Sequence, residues 1–362
     1  MECTTSSKNK IYSKIIKKKM IILISLLIML LLSIIVATSI GSSSVGFKGT
    51  FYVILSKIFK GTFSAKVADL NNTVILDIRL PRVITAVIIG AALAGCGAVM
   101  QGILRNPLVS PYTLGLSSGS AFGAAIGIIL GSSIALSKFI FLDKYLVVLS
   151  SFIFGLITML LVYFIAKQKA MATGTLILAG VAIGYVFSAL LSILKYTSNK
   201  DQLQDIVFWL MGGLWIADWT TVAILLSINL VCVILMTKYA WDLNGLASGE
   251  EVATSLGINV NRIRVICLIL CSLSTSSCIA FTGIIGFVGL VAPHISRIII
   301  GNDYRFLIPC SCLMGSIILL ISDTIGRTVI SPTEIPIGII TSLIGAPFFI
   351  YLIMKERRKC WC

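Results

Sequence analysis

The sequence predicts an all-α, polytopic membrane protein of about ten transmembrane helices with both termini in the cytoplasm. Of its 362 residues, 57% are hydrophobic and only 12% are charged, which is about half the charged fraction of an average globular domain. Apolar runs of about 20 residues, the length that crosses a bilayer as a helix, recur along the chain. Because their number is even, both ends are expected on one side of the membrane.

The apolar runs form two sets of five. They lie near residues 20–40, 83–104, 113–133, 145–166 and 175–194, and then near 219–237, 265–282, 284–300, 306–322 and 335–354. With a cytoplasmic N-terminus, 18 of the 29 Lys and Arg residues lie inside, as the positive-inside rule requires. The net charge of +15 therefore indicates topology rather than binding to nucleic acid. The long polar segment 41–82 is expected outside.

Three regions follow from this pattern: a basic cytoplasmic leader (1–19), a transmembrane domain (20–354) and a basic cytoplasmic tail (355–362). The leader and the first apolar run resemble a signal peptide. The run is longer than a usual signal sequence, however, and no A-x-A cleavage site follows it. We expect a retained first span, in a multi-pass protein surrounded by membrane lipids.

The longest polar interval in the second half of the chain, residues 241–264, is predicted to form a helical elbow on the cytoplasmic side. Ser248 is a favourable N-cap, and Glu251 three residues later completes a capping box. Gly257 supplies a left-handed helix stop, and Asn259 can cap a second helix that leads into the next span. Such a structured elbow predicts a surface for a partner. The alternative is an ordinary, well-capped loop.

Span three carries a glycine at every fourth residue, which predicts a bare strip along one face of the helix. A neighbouring helix can approach closely along such a strip, and membrane helices gain much of their association energy from close packing. We assign five glycines to this helix packing: Gly115, Gly119, Gly123, Gly127 and Gly131.

A short similarity between the two halves predicts an inverted internal repeat. Residues 108–111 read LVSP, and residues 290–293 read LVAP. Because each half contains five spans, the two copies would be inverted, as in many transporters.

The composition disfavours several classes of function. No Lys, Arg, Asp, Glu or His falls near the middle of a span, which argues against a proton- or sodium-driven carrier and against a charge-lined channel. No Gly-Lys pair occurs, so the chain lacks a Walker-type nucleotide-binding loop. A single histidine and ten cysteines without a C-x-x-C pair predict no metal site. A transport protein of this kind needs a separate energy source.

A series of motifs resembles the FecCD-type permeases, the membrane subunits of ABC importers for ferric siderophores, haem and cobalamin. In chain order the motifs are RLPR (79–82), GAALAGCGAVMQGILRNPLVSPYTLG (90–115), LILAG (176–180), MGGLW (211–215), GEEVATSLGINV (249–260), GFVGLVAPHISR (286–297), EIPIG (334–338) and LIGAPFFIYLI (343–353). The resemblance covers residues 79–355.

This resemblance implies a homodimer around one central pathway, with two ABC ATPase subunits below and one extracytoplasmic substrate-binding lipoprotein above. ATP and magnesium would be used by the ATPase subunits. The chain itself would bind no cofactor and would not be an enzyme.

The resemblance also implies roles for particular residues. Arg79, Arg82 and Arg327 fall on outer arginines that meet acidic residues of the binding protein, since an arginine fork holds a carboxylate through two parallel hydrogen bonds. Two other interpretations stay open. Arg79 and Arg82 could be anchors at the membrane edge, and Arg327 could pair with Asp323 at i,i+4.

The cytoplasmic gate of the family falls on Thr173 and Gly174 at the start of span five, although a glycine stands where a hydroxyl residue is expected. The ATPase contact falls on the elbow and comprises Ser248, Gly249, Glu250, Glu251, Leu256, Gly257 and Asn261.

Together these residues predict a permease that admits an iron chelate to the cytoplasm, a ferric siderophore first and haem or cobalamin next. ATP-driven closure of the ATPase subunits would move the elbow and tilt spans five and ten. The alternatives are a self-sufficient secondary carrier or channel, and a membrane scaffold or sensor that transports nothing.

Overall fold

The computed structural model describes residues 2–41, 73–133, 140–169, 171–330 and 332–356, and it contains thirteen helices within these ranges. In chain order they are α1 (Glu2–Ser39), α2 (Val74–Ile103), α3 (Leu116–Ser133), α4 (Ile140–Lys167), α5 (Thr173–Thr197), α6 (Lys200–Met211), α7 (Trp219–Lys238), α8 (Ala240–Ala247), α9 (Glu250–Ser255), α10 (Val260–Thr282), α11 (Val288–Ile300), α12 (Tyr304–Thr328) and α13 (Ile337–Glu356). A 3₁₀ turn, Pro111–Leu114, precedes α3.

Seven of these helices are long and apolar enough to cross a membrane: α1, α2, α4, α5, α7, α10 and α12. Three more, α3, α11 and α13, are apolar but shorter. Together they fall on the ten predicted apolar runs, so the all-helical fold class is confirmed. The number of complete crossings and the side of each terminus stay predictions. α1 continues without a break through residues 19 and 20, so the basic leader and the first span share one helix.

Helix α2 forms the centre of the bundle. In its most apolar stretch 83% of the residues are buried, against 17% in α1. It packs against α7, α10, α11 and α12, and glycines make these approaches possible. Gly90 lies against the backbone carbonyl of Gly315 in α12, and Gly97 lies against that of Gly289 in α11. A side chain at Gly97 would overlap the Gly289 oxygen.

The glycine strip of span three lies mainly against α4. Gly119, Gly123 and Gly127 each face α4 at a distance that leaves no room for a Cβ atom. Gly115 differs, because it ends the 3₁₀ turn with φ 77° and lies against Gly180 of α5. Gly131 lies in the last turn of α3.

Two predicted spans begin later than the apolar pattern indicates. α3 starts at Leu116, after the 3₁₀ turn, and α11 starts at Val288, after an irregular segment with positive φ at Gly283 and Phe287. The LVSP and LVAP segments therefore differ in structure, since the first leads into a 3₁₀ turn and the second lies inside α11. This four-residue match is not repeated in the backbone, and the inverted repeat gains no support from it.

Two other elements depart from the predicted pattern. α2 begins at Val74 with a π-helical turn, so the last residues of the predicted outer segment 41–82 are helical. The remainder, residues 42–72, lies outside the described residues. α6 was not predicted, although its N-terminus carries a capping box. The Asn199 side chain accepts a hydrogen bond from the Gln202 N–H at 2.9 Å, and the Gln202 side chain accepts one from the Asn199 N–H at 3.2 Å.

Candidate functional site

The elbow between α7 and α10 consists of α8 and α9, followed directly by α10. α9 ends in a Schellman turn, in which Gly257 has φ 81° and the Ile258 N–H donates to the Ala253 carbonyl at 3.0 Å. The Asn259 side chain accepts a hydrogen bond from the Arg262 N–H at 3.0 Å and caps α10. The predicted stop at Gly257 and the predicted cap at Asn259 are confirmed.

The predicted N-cap at Ser248 is wrong. Ser248 ends α8, and its hydroxyl donates back to the Asn244 carbonyl oxygen at 3.4 Å. The N-cap of α9 is Gly249, with φ 131° and no side-chain cap, so Glu251 completes no capping box. The helical turn before Ser248 buries Leu243 and Leu246, and this burial extends α8 up to the serine.

Helix α9 carries exposed apolar side chains outside the candidate spans. Val252 is 46% exposed and Leu256 is 67% exposed, and their i,i+4 spacing places them on one face of the helix. We call this pair the elbow patch. Glu251 and Asn261 beside it are also exposed. Because the elbow patch lies outside the helices that are long and apolar enough to cross a membrane, it is a candidate surface for a partner.

Behind the elbow patch, Arg264 of α10 is almost completely buried, with 1% of its surface exposed. Its guanidinium donates to the Ile103 carbonyl at 3.4 Å, to the Met171 carbonyl at 2.9 Å and to the Glu250 carboxylate at 2.7 Å. One side chain thereby joins the end of α2, the turn between α4 and α5, and the first residue of α9. Composition and spacing did not reveal this junction. The only signal in the sequence was an arginine directly before the apolar run 265–282.

The predicted gate residues Thr173 and Gly174 form the first turn of α5, directly after this junction. Met171 just before them has φ 57°, a backbone conformation that residues with side chains rarely adopt. A Cβ atom added at Gly174 would meet nothing within 4 Å, so its neighbourhood within the chain is open. The structure places both residues beside the elbow and leaves their gating role a prediction.

A polar cavity of about 580 Å³ lies next to Thr173. Its lining includes Gln101, Arg105, Asn106, Thr173, Glu250 and Tyr304. Gln101 is 3% exposed, and neither its amide nitrogen nor its amide oxygen bonds a protein group in the described part of the chain. The cavity thus connects the end of α2, the elbow and the predicted gate.

A second polar junction ties the elbow to α12 and α1. The Asp303 carboxylate accepts hydrogen bonds from Arg305 at 2.6 Å and from Asn244 of α8 at 2.9 Å, and Lys19 of α1 lies 3.8 Å away. The Arg305 guanidinium stacks 4.1 Å above the Trp241 ring centre. Burial alone would raise the pKa of Asp303, but the hydrogen bonds from Arg305 and Asn244 outweigh it and lower the pKa to about 2.

At the opposite end of the bundle, two of the predicted docking arginines are buried against the end of α1. Arg79 donates to the Thr38 carbonyl at 3.1 Å, and Arg327 donates to the Ala37 carbonyl at 3.2 Å. The last carbonyls of a helix lack partners within it, and a cation there is favoured by the helix dipole. Neither arginine presents an open guanidinium fork in this conformation.

The third docking arginine, Arg82, lies between two carboxylates. It donates to Asp323 at 3.0 Å and to both oxygens of Glu334 at 2.9 and 3.0 Å. Asp323 is fully buried and also forms an ion pair with Arg327 at 2.9 Å, so the i,i+4 pairing is present. The docking role of all three arginines stays a prediction, and Glu334 already occupies the position that a partner carboxylate would take on Arg82.

Two of the sequence motifs and the end of α10 meet through backbone hydrogen bonds of glycines. The Gly338 N–H donates to the Gly212 carbonyl at 3.5 Å, and the Gly213 N–H donates to the Thr282 carbonyl at 2.8 Å. These two bonds bring MGGLW, the last residue of α10 and EIPIG together. An apolar cavity of about 640 Å³ opens beside it, lined among others by Tyr112, Met211, Ile284, Leu343 and Pro347.

These features define a class of protein. The described residues contain seven helices that are long and apolar enough to cross a membrane and a helical elbow with an exposed apolar patch between two of them, and both features are typical of the membrane subunit of a transporter. The chain belongs to the FecCD transport family, which matches residues 27–355. It is therefore a multi-pass ABC permease of the cytoplasmic membrane.

Individual relatives agree with this assignment. An ABC transporter permease protein of Methanocaldococcus jannaschii is 44% identical over 80% of this chain and 83% of its own length. The hemin transport system permease HmuU of Yersinia pestis is 36% identical over 90% of this chain and 94% of its own length. Other relatives are named for iron(3+)-citrate, cobalamin, iron(3+)-hydroxamate and molybdate.

A solved structure also matches. It is described as an inward-facing conformation of a metal-chelate type ABC transporter. The TM-score is 0.79 at 34% identity, and the match covers 92% of this chain and 99% of that one. The sequence and structural matches cover nearly the whole permease.

Proposed function

We propose that this permease moves an iron chelate into the cytoplasm, with a ferric siderophore as the first choice and haem or cobalamin next. The support is the cargo in the names of its relatives, in which iron compounds are the most frequent. The apolar composition of the spans also fits a pathway that leaves substrate selection to another subunit.

The partners in this proposal are a second copy of the chain, two ABC ATPase subunits and an extracytoplasmic binding protein. ATP and magnesium would act in the ATPase subunits, and this chain would hold no cofactor. The pathway would lie between the two copies, and Arg79, Arg82 and Arg327 would face the binding protein.

The elbow patch is the observation that carries the proposal. Val252 and Leu256 leave apolar surface in water on a helix that is firmly stopped at Gly257. Burying a leucine side chain against a partner contributes roughly 1.5–3 kcal/mol. An ATPase subunit that covered the patch would gain this energy and hold a helix that is tied to the bundle through Arg264.

Leu256→Glu tests this contact. We expect the substitution to leave the permease folded, because Leu256 is exposed, and to weaken its association with the ATPase subunit by about tenfold or more, which corresponds to roughly 1.4 kcal/mol. The measurement is the amount of Walker-motif ATPase that co-purifies with the tagged chain from its native membrane.

Thr254→Glu is the matched control, because it adds the same charge on the opposite face of α9. Equal loss of ATPase in both variants would point to a general charge effect and not to the elbow patch. Chelate uptake by the purified chain without any ATPase would replace the proposal with a secondary carrier.

A further inference from the structure

Arg264 connects the part of the chain that would contact the ATPase with the part that would gate the pathway. We propose that Arg264 is the positioning residue that transmits movement of α9 to the first turn of α5. This inference rests on the proposed function, since it requires an ATPase that moves the elbow.

The three acceptors of Arg264 differ in how far they can move. The Ile103 carbonyl ends the central helix α2 and the Met171 carbonyl belongs to a buried residue, so both are fixed in the bundle. Glu250 begins the short helix α9, and its side chain is 47% exposed. A partner on the elbow can therefore shift the Glu250 carboxylate, and the guanidinium bound to that carboxylate would move with it relative to the two fixed carbonyls.

Met171 makes the turn before α5 sensitive to this shift. Its backbone has φ 57°, which is strained for a residue with a side chain. Two contacts hold it there, since its N–H donates to the Ala166 carbonyl at 3.0 Å and its own carbonyl accepts from Arg264 at 2.9 Å. If Arg264 follows Glu250, the second contact changes and the turn can relax. The predicted gate residue Thr173 begins α5 two residues after Met171.

The chemistry requires an arginine at this position. A planar guanidinium carries donors that point in several fixed directions, so one group can serve three acceptors on different elements. A lysine would keep the charge but not the fork. Methionine would fill similar space and donate to none of them.

The test follows the gate directly in the complete transporter. Thr173→Cys, which lines the polar cavity, serves as the reporter, and its labelling by a membrane-impermeant maleimide is compared without nucleotide and with MgATP plus vanadate. The reporter is placed in chains that carry Arg264, Arg264→Met or Arg264→Lys. Arg262→Met is the control, because Arg262 lies on the same helix with an exposed side chain.

With Arg264 and with Arg262→Met, we expect nucleotide to change the labelling rate. With Arg264→Met, that change should shrink by at least about fivefold, the lower end of typical coupling between sites, while the ATPase still co-purifies and its basal hydrolysis continues. Arg264→Lys should be intermediate.

Two results would overturn the inference. In the first, Arg264→Met keeps the full nucleotide response. In the second, both Arg264 variants lose the ATPase while Arg262→Met keeps it, which would show that Arg264 only maintains the fold. A failure of the proposed function looks different, because no ATPase would co-purify even with the unsubstituted chain. That result would remove both proposals.

Discussion

Buried arginines at both ends of the bundle bind the free carbonyls of helix C-termini. Arg264 binds Ile103 at the end of α2, and Arg79 binds Thr38 near the end of α1. These carbonyls have no partner within their own helix, and the dipole makes the helix end negative. Helix-end carbonyls therefore help to bury a guanidinium, as they do for Arg79, Arg264 and Arg327, the three buried arginines in the described part of the chain.

The pairing of Arg82 with Glu334 predicts competition at the outer surface. If the binding protein docks through a carboxylate on Arg82, Glu334→Gln should strengthen docking, because a neutral amide holds the guanidinium less tightly. We expect an affinity gain of roughly threefold, about 0.7 kcal/mol, the range of a partly exposed ion pair. The measurement is titration of the binding protein against the permease in nanodiscs.

Asp77→Asn is the control for Glu334→Gln. Asp77 is exposed on the first turn of α2, and its substitution removes one negative charge without changing the acceptors of Arg82. Equal gains from both substitutions would mean that net charge sets the affinity. No gain from Glu334→Gln would argue against docking on Arg82.

At the scale of helices, glycines determine how closely α2 meets its neighbours. A side chain at Gly97 would overlap the Gly289 carbonyl oxygen, which is backbone and cannot move aside easily. At Gly286 the nearest atom to an added Cβ is the Ser342 hydroxyl at 3.9 Å, an ordinary contact distance. The two glycines therefore differ in how much a methyl group would disturb the structure.

Gly97→Ala should lower the free energy of unfolding by roughly 1–3 kcal/mol, the usual effect of overpacking, even though alanine favours helix more than glycine does. Gly286→Ala should remain within about 0.5 kcal/mol of the parent. Thermal unfolding of the two variants in the same detergent measures the difference. Equal free energies of unfolding for the two variants would show that α2 and α11 can move apart to make room for a methyl group without a loss of stability.

Helix positions were predictable from the sequence because apolar runs of spanning length have few alternatives. The irregular segment before α11 was not, since Phe287 lies within the predicted run 284–300, which reads as continuous helix. Ser248 shows a second limit. Its capping pattern is correct for an isolated helix, but the burial of α8 places it in a different role. Arg264 could be recognised only when α2, the turn before α5 and α9 were seen to meet.

At the scale of the whole molecule, the Asp303 junction places the N-terminal half of α1 beside the elbow. Lys19 of α1 and Asn244 of α8 both reach the same carboxylate. Because the pKa of Asp303 falls from 3.8 to about 2, its stabilising effect is complete above about pH 4. It is lost only as the pH falls toward 2. The junction should therefore persist throughout the physiological range and does not act as a pH switch.

The orientation of the chain in the membrane can be tested with two introduced cysteines. Thr254→Cys lies on the elbow, and Asp77→Cys lies at the end of the bundle that holds the outer arginines; both positions are exposed. With the elbow in the cytoplasm, as the distribution of Lys and Arg predicts, a membrane-impermeant maleimide added to intact cells should label only Asp77→Cys. In inverted vesicles it should label Thr254→Cys. The unsubstituted chain gives the background from native cysteines. The opposite pattern would place the elbow patch outside the cell, where no ATP-driven subunit could reach it, so this measurement decides whether the elbow can receive energy from ATP at all.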